Sequence, residues 1–293
     1  EFVFFSSGQF PQFTDNLVAY GIATQADGKV LFFGSFTDSP GGFVARLNHN
    51  GTPDLSFAEN GILELLVGDD SDVFGMTLLN DGSLVVGGTF SSTESSLQQG
   101  YVAKITRQGE LASTFADNGV QILERISGHT FSQIARAQDG GVYTAWNYAA
   151  GFNSVTGPLI KSDQAGQLDV NFGVDGVLER SSGLLAWDRG LDILEDGNIV
   201  TYRISSFAPL LFKYDEFGNS DADFNGDSID TGPLRGGLMR IRADGVIFVG
   251  GTKADSPADA EVRLFGLKNN IPLLNPRFFQ DGEIDMLFRS SFD

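Results

Sequence analysis

Five Asp-Gly pairs recur along the sequence, and their regular spacing makes them the first candidates for chemistry. A ring of carboxylates could bind a metal ion or transfer protons. Each pair, however, stands between two apolar runs, where Asp and Gly supply the backbone geometry of a tight turn. We therefore predict structural turns at all five carboxylates, which are Asp27, Asp81, Asp139, Asp196 and Asp244.

A basic residue also recurs once in each of four repeat units, at Arg46, Lys104, Lys161 and Lys213. Because each of these residues lies within a predicted strand, its simplest role is to hold its own unit together. We predict that it does so through hydrogen bonds or an ion pair.

One segment resembles a calcium-binding loop, because oxygen-bearing side chains alternate along it. These side chains are Asp221, Asp223, Asn225 and Asp227. The bidentate Glu that closes such a loop is missing, and Asp221 also aligns with Asp54 of the first repeat unit, so the repeat accounts for part of the pattern. We predict no metal and no other cofactor, with Ca²⁺ at this segment as the alternative.

The sequence lacks the signatures of several enzyme families. It contains no G-x-S-x-G, H-E-x-x-H, P-loop or G-x-G-x-x-G pattern. Cysteine is absent, which excludes disulfides and thiolate chemistry, and His49 and His129 are the only histidines. We predict no catalytic residues.

An internal repeat defines the elements that must position these residues. The string DGKVLFFG at 27–34 returns as DGSLVVGG at 81–88, and then as DGGVYTAW, DGNIVTYR and DGVIFVGG. A second string follows the first: FVARLNHNGTPDLSFAENG at 43–61 matches YVAKITRQGELASTFADNG at 101–119. The Asp-Gly pairs are 48 to 58 residues apart. Two strings in fixed order make this repeat the strongest signal in the sequence.

Each repeat predicts four short strands without a helix. In the second repeat unit we expect them at 73–79, 83–90, 101–106 and 119–124. Four-stranded units at this spacing are typical of a β-propeller, in which each sheet buries its faces against its neighbours. We predict an all-β fold, a five-bladed β-propeller of four-stranded antiparallel blades, with six blades as the alternative.

The coupled strings resemble the delta-sixty repeat of bacterial β-propeller proteins. The shared pattern is an apolar strand, an Asp-Gly turn and then Ala-Arg-Leu…Gly-x-Leu-Asp-x-x-Phe-x-x-x-Gly, across about residues 15–284. The resemblance implies a propeller in a large secreted or surface-attached bacterial protein. It implies no catalytic motif.

We predict a single propeller domain over residues 1–293, with repeat units at 15–68, 69–126, 127–184, 185–232 and 233–289. Residues 283–289 are expected to form the last strand of the fifth unit. Residues 1–5 are expected to close the ring, unless they belong to a preceding blade. Because the sequence opens at Glu1 without Met, we expect it to be part of a longer polypeptide.

The repeat is broken where the second strand of each unit ends. Gly34, Gly88 and Gly251 occupy this position in three units, but Trp146 and Arg203 occupy it in the other two. In a four-stranded blade, the loop after this strand and the loop between blades emerge on the same face. Large side chains from both loops could therefore meet there.

Such a face could recognise a ligand, since exposed aromatic rings stack on sugars and arginine pairs with carboxylates. The predicted ligand-binding patch contains Trp146, Tyr148, Phe152, Trp187, Arg189, Arg203 and Arg235. The alternative is that the two tryptophans pack between blades.

Two charged residues align at one position of the first strand in neighbouring repeat units. They are Asp192 and Arg240, which we expect to pair inside the channel as a structural ion pair. A less favoured interpretation is a glycosidase that uses carboxylates such as Asp192 and Glu195. It ranks low because only these two acids clearly arise near the axis.

The charge of the chain limits its partners. With 38 acidic against 19 basic side chains, the net charge is −19, which repels nucleic acid and anionic membranes. No apolar run is long enough for a membrane span. We predict a non-catalytic module for glycan or peptide recognition in adhesion, extracellular or at the bacterial cell surface. The alternative is a structural or self-association propeller without a small ligand.

Overall fold

The structure, a computed structural model, describes residues 16–126, 128–148, 155–180, 186–205, 209–221, 224, 235–242, 245–253, 261–268 and 271–272. In these ranges the regular elements are β-strands, apart from one short 3₁₀ helix at Glu124–Ile126. None of the helical structure described there is long and apolar enough to cross a membrane. Contacts divide the chain into two compact units, an N-terminal unit (residues 1–181) and a C-terminal unit (residues 182–293).

In the N-terminal unit, three antiparallel sheets follow one another, each with its four strands in chain order. The first sheet contains β1 (Leu17–Thr24), β2 (Val30–Phe36), β3 (Gly42–Leu47) and β4 (Ile62–Leu65). The second contains β5 (Asp70–Leu78), β6 (Leu84–Ser92), β7 (Ser95–Ile105) and β8 (Val120–Leu123). The third contains β9 (His129–Arg136), β10 (Val142–Tyr148), β11 (Val155–Ser162) and β12 (Val177–Leu178). The four strands predicted for the second repeat unit are confirmed.

The described part of the C-terminal unit holds two further antiparallel sheets. The fourth sheet contains β13 (Ala186–Ile193), β14 (Ile199–Ser205) and β15 (Pro209–Tyr214). The fifth contains β16 (Arg235–Ile241), β17 (Ile247–Lys253), β18 (Glu261–Lys268) and β19 (Ile271–Pro272). The strands predicted at 1–5 and 283–289 lie outside the described residues. The single-domain prediction stays a prediction.

The first four Asp-Gly pairs form the turns between the first two strands of their sheets, as predicted. The Asp side chain accepts a hydrogen bond from the backbone N–H two residues later, for example from Ser83 to Asp81 over 2.9 Å. The same bond is made by Asp27, Asp139 and Asp196. The glycines lie in the left-handed region, with φ of +80° at Gly28, and glycine adopts this conformation without steric cost. Asp244 lies outside the described residues.

A β-bulge interrupts the first strand of every sheet in the described ranges, and the sequence did not predict it. The extra residue in the first, second, third and fourth sheets is, respectively, Tyr20, Phe74, Ser132 and Arg189. In the first two sheets the bulge brings the strands very close, so that a Cβ on Gly34 or Gly88 would collide with a backbone carbonyl oxygen. In these two sheets the close approach of the strands requires glycine at the end of the second strand. The third and fourth sheets have the same bulge with Trp146 and Arg203 at that position.

Apolar side chains fill the space between successive sheets of the N-terminal unit. Phe33, Val44 and Val86 belong to the core between the first two sheets. Phe131 and Trp146 belong to the core between the second and third. Ile22 is 69% exposed. It lies on β1, the first strand of this unit, and no described sheet of the unit precedes it.

A backbone hydrogen bond also joins each sheet of the N-terminal unit to the next. Ala58 N–H donates to the Gln108 carbonyl over 2.6 Å, and Ala116 N–H donates to the Ala165 carbonyl over 2.7 Å. Both donors have left-handed backbones, with φ of +45° at Ala58 and +44° at Ala116. The turn of the later sheet packs against the earlier sheet at Gly109, where a Cβ would lie 2.5 Å from the Ala58 nitrogen.

We predict that Gly109→Ala costs about 3 kcal/mol of unfolding free energy, because it adds a left-handed alanine and a clash with Ala58. Gly51 is the matched control: its φ is +82° against +84° at Gly109, but a Cβ on Gly51 would meet nothing within 4 Å. Gly51→Ala should therefore cost only about 1 kcal/mol. Urea unfolding of both variants measures the difference, and equal losses would contradict this packing between sheets.

Candidate functional site

Three of the four recurring basic residues bind aspartates of their own sheets, as predicted, whereas Lys104 makes no such pair with the described residues. Arg46 Nε lies 2.6 Å from Asp54 Oδ2, and Lys29 Nζ lies 2.7 Å from the same oxygen. Lys161 pairs with Asp169 at 2.8 Å and Lys213 with Asp221 at 3.1 Å. Each of these three recurring cations also lies over an aromatic ring of its sheet. These repeated charges therefore stabilise individual sheets.

Asp54 is the most heavily bonded carboxylate of this series. It is buried, and its second oxygen accepts bonds from Ser56 N–H at 3.1 Å and Ser56 Oγ at 2.6 Å. Burial by itself would raise the pKa of Asp54, but the hydrogen bonds from Lys29, Ser56 and Arg46 outweigh it and hold the pKa well below its usual range. Asp54 is thus a fixed anion that positions Lys29 and Arg46.

A cleft of about 290 Å³ opens beside this group in the N-terminal unit. We call it the basic cleft and define it by its lining residues, which are Gln25, Asp27, Lys29, Arg46, Ser56, Arg107 and Gln108. Arg46 connects its two walls, because its Nη1 donates to the Arg107 carbonyl over 2.8 Å. The Arg107 side chain is exposed and passes over the Asp-Gly turn of its own sheet, where a Cβ on Gly82 would lie 2.8 Å from Arg107 Nε; it makes no hydrogen bond or ion pair with other described residues.

The basic cleft carries more positive than negative charge on a strongly acidic chain. Three cations, Lys29, Arg46 and Arg107, line it, whereas Asp27 is its only lining carboxylate and Asp54 is already paired. The corresponding positions elsewhere are less basic. Lys29 follows the Asp-Gly turn of the first repeat unit, where the other units have Ser83, Gly141, Asn198 and Val246. The arrangement suits an anionic group.

The sequence did not identify this cleft, although one signal was available. A lysine directly after the Asp-Gly pair occurs in the first repeat unit alone. Arg107 is a turn residue of the next repeat unit, and the hydrogen bonds from Ala58 to Gln108 and from Arg46 to Arg107 show that this turn reaches back to the first sheet.

The predicted ligand-binding patch is placed differently. Trp146 is fully buried, its ring lies edge to face with Phe131 at 5.2 Å, and its Nε1 donates to Thr144 Oγ1 over 2.9 Å. The indole fits because the second sheet has glycine opposite it: a Cβ on Gly100 would lie 2.6 Å from the ring. Trp146 is therefore a core residue, as the alternative interpretation had it, and it cannot stack on a surface ligand. Tyr148 is 41% exposed and packs on His129.

Arg203, in the C-terminal unit, is also buried rather than available to a ligand. Its Nη2 donates to the Tyr214 hydroxyl over 3.0 Å, and Asp188 Oδ1 lies 3.4 Å from its Nε. The guanidinium lies over the Phe212 ring at 4.1 Å from the centroid. Arg203 thus replaces the glycine of the first two sheets with a buried ion pair.

The remaining patch residues divide between surface positions and undescribed ones. Trp187 is 39% exposed, and Arg189 is exposed as the bulged residue of β13. Arg235 begins β16, but its side chain lies outside the described residues, as does all of Phe152. Because Tyr148 and Trp187 belong to different compact units, their predicted convergence stays a prediction.

Asp192 has a structural role within the C-terminal unit. Its carboxylate accepts bonds from Ile193 N–H at 2.9 Å and from Ile241 N–H at 3.1 Å, which ties β13 to β16. Burial raises the pKa of Asp192, while these bonds and the charge of Arg240 oppose the rise. The Arg240 guanidinium itself donates to the Met239 carbonyl. The expected side-chain pair is therefore replaced by bonds to the backbone.

The calcium alternative finds no assembled site in the described ranges. Asp221 pairs with Lys213, and Asp223, Asn225 and Asp227 lie outside the described residues. No group of three or more potential metal-binding side chains of His, Cys, Asp or Glu occurs where the structure is described.

Comparison with known proteins agrees with the repeated sheets. Residues 25–57 and 79–115 match a family model described as a domain of unknown function (DUF5122) beta-propeller. No curated protein matches the chain.

Solved structures share the fold at low sequence identity. A protein of unknown function from Bacteroides caccae is 12% identical, with a TM-score of 0.57 over 90% of this chain and 82% of its own. A protein of unknown function from Dyadobacter fermentans is 9% identical, with a TM-score of 0.53. The match covers 90% of this chain and 83% of the other. An ulvan lyase of polysaccharide lyase family PL25 is 12% identical, with a TM-score of 0.51. The match covers 89% of this chain and 73% of the lyase chain.

The fold class of the chain is therefore the β-propeller class. Its four-stranded antiparallel sheets, the family match and the structural likenesses all agree on this. The number of blades and the narrower delta-sixty resemblance stay predictions.

We predict that Asp54→Ala costs about 3 kcal/mol of unfolding free energy, because it leaves two cations beside an empty position. The folded pKa of Asp54 lies below the unfolded value of about 3.9. The contribution of Asp54 to the unfolding free energy is therefore fully present above the unfolded pKa and is lost as the pH falls through the folded pKa.

Urea unfolding at about pH 5 and about pH 3 tests this. The wild type should lose more unfolding free energy on acidification than Asp54→Ala does. Asp117→Ala, which removes an exposed carboxylate of the same unit, should keep the wild-type pH dependence. If Asp54→Ala has that same dependence, the carboxylate is not the anion that holds Lys29 and Arg46.

Proposed function

We propose that the protein is a non-catalytic ligand-binding module and that the basic cleft binds an anionic ligand. The observation that carries the proposal is the set of three cationic residues, Lys29, Arg46 and Arg107, that line this cleft on a strongly acidic chain. A guanidinium offers paired donors to a carboxylate or sulfate, and charge-assisted hydrogen bonds of this kind are strong. Because Lys29 and Arg46 are fixed on Asp54, the site is organised before the ligand arrives.

Catalysis is supported less well than binding. The carboxylate nearest to the predicted axis, Asp192, is occupied by two backbone N–H groups. Asp54 is held as a permanent anion by Lys29, Ser56 and Arg46. Asp54 therefore cannot hold a proton near neutral pH, as a general acid must, and the Asp192 carboxylate is committed to the backbone bonds that tie β13 to β16.

An anionic saccharide has a precedent on this fold. The crystal structure of the ulvan lyase has the saccharide -[GlcA(1-4)Rha3S]- bound, although its likeness to this chain concerns the fold alone. Together with the sequence resemblance to secreted bacterial repeats, this supports a module that acts outside the cell or at the bacterial surface. We propose adhesion to an anionic glycan or to an acidic peptide as the role.

We predict that the protein binds immobilised alginate or dextran sulfate and does not bind neutral dextran. Arg107→Ala should weaken binding at least about tenfold, since a hydrogen bond to a charged group contributes about 1.5–3 kcal/mol. Biolayer interferometry at constant ionic strength measures both effects, because charge interactions vary with salt.

Arg136→Ala is the control, since it removes the same charge from an exposed residue elsewhere in the N-terminal unit. It should leave affinity within about twofold of the wild type. Equal weakening by both variants, or no binding to any anionic polymer, would reject the basic cleft as the site. Reproducible self-association without ligand binding would support the structural alternative.

A further inference from the structure

The recurring ion pair is interrupted in the second sheet. In the first, third and fourth sheets an aspartate follows the cation by eight residues, in the pairs Arg46–Asp54, Lys161–Asp169 and Lys213–Asp221. In the second sheet the cation is Lys104, but the residue eight positions later is Ala112. The Lys104 amine accordingly makes no ion pair or hydrogen bond with the other described residues.

The backbone shows that Ala112 occupies the place of these aspartates. Ala112 N–H donates to the Lys104 carbonyl over 2.8 Å, and Asp54 N–H donates in the same way to the Arg46 carbonyl over 2.9 Å. Phe115 N–H donates to the Ala112 carbonyl over 2.8 Å, which is also the bond that closes this turn in the first sheet. The turn is therefore the same, with a methyl group in place of the carboxylate side chain.

The second sheet keeps the donors that surround the aspartate in the other sheets. Asp54 accepts hydrogen bonds from the N–H and the hydroxyl of Ser56. Asp169 accepts them from the N–H and the side-chain amide of Asn171. Thr114 takes this position in the second sheet, and neither its N–H nor its hydroxyl bonds to the other described residues. A cation, an N–H and a hydroxyl are thus available to one carboxylate.

A ligand can reach these groups from solvent. Thr114 is exposed, and Lys104 and Ala112 are half-buried. Half-burial strengthens a charge-assisted bond relative to one on an open surface, because fewer water molecules screen the charge.

The neighbouring turn leaves Lys104 able to bind a further carboxylate. Asp81, which precedes Gly in this turn, forms no ion pair with Lys104 and accepts hydrogen bonds within the turn itself. In the third sheet Lys161 lies 2.8 Å from the carboxylates of both Asp139 and Asp169. One lysine at this position can therefore hold a second carboxylate beside that of the Asp-Gly turn.

We propose that Lys104, Ala112 and Thr114 form a second binding site, the Lys104 site, which accepts the carboxylate group of a ligand in place of the aspartate. Lys104 pairs with the charge, and Thr114 donates from its N–H and its hydroxyl. A place that fits the tip of an aspartate suits a small organic acid or an acidic side chain. The inference goes beyond the proposed function, since none of these three residues lines the basic cleft.

An NMR titration of the isotope-labelled full chain with sodium acetate tests the Lys104 site. Sodium chloride at the same ionic strength is the comparison, because it supplies an anion without the carboxylate geometry. The Thr114 amide resonance should shift with acetate and saturate in the millimolar range, since so small a ligand makes few contacts. Chloride should give no saturable shift.

Lys104→Met keeps the apolar stem and removes the charge. It should weaken acetate binding at least about tenfold, as expected for the loss of a hydrogen bond to a charged group. Arg136→Met, which removes an exposed charge of the same sign from the third sheet, is the matched control. Its acetate affinity should stay within about twofold of the wild type.

Ala112→Asp supplies the carboxylate from the chain itself. It should abolish the acetate response of Thr114 and raise the melting temperature, because the new side chain takes the place that Asp54 has in the first sheet. Ala112→Asn has nearly the same shape without the charge. It should also block acetate but raise the melting temperature less than Ala112→Asp does.

A tetraglutamate peptide, compared with acetate at equal carboxylate concentration, identifies the source of the group. Tighter binding of acetate would indicate a small acid, and tighter binding of the peptide would indicate an acidic side chain. Equal shifts with acetate and chloride, or an acetate response that survives in Ala112→Asp, would overturn the Lys104 site. A melting temperature of Ala112→Asp below that of the wild type would also overturn it. Failure of the basic cleft to bind anionic polymers would leave these results unchanged, since acetate binds at other residues.

Discussion

The turn that each sheet extends back to its predecessor is the constraint on which the N-terminal unit depends. A four-stranded sheet cannot bury both faces alone, so neighbouring sheets must keep a fixed offset. The hydrogen bonds from Ala58 to Gln108 and from Ala116 to Ala165 set that offset twice in succession. The donors Ala58 and Ala116 have left-handed backbones and pack directly on Gly109 and Gly166 of the following sheets. The contact is possible because these glycines have no Cβ. The same contact forms the basic cleft, since it brings Arg107 beside Lys29 and Arg46.

Charge serves structure first in this acidic protein. Arg46, Lys161 and Lys213 each bind an aspartate and lie over a ring, which explains why a cation recurs inside the strands. The first sheet differs because Lys29 adds a second cation to Asp54. Function in a repeat protein can arise in this way, when one unit departs from a pattern that the others use for stability.

Much of the fold could be predicted from the sequence, since turns and strands are encoded locally. The Asp-Gly turns, the strand order and the ion pairs of the recurring cations follow from residue types at short spacing. The bulge could not be predicted, because no residue type marks it until Gly34 is seen to face the Val18 carbonyl. Trp146 was misinterpreted for the same reason: its exposure depends on Gly100 of another sheet. The cleft joins residues from two repeat units, and only the packing between sheets brings them together.

Hydrogen exchange at the Ala58 and Ala116 amides tests the central claim most directly. If these two bonds hold successive sheets together, both amides should exchange only when the N-terminal unit unfolds, as slowly as core-strand amides such as that of Val86. Exchange at the rate of an unstructured peptide, with the core strands still protected, would show that the sheets stack without these bonds. The basic cleft would then lose the contact that assembles it.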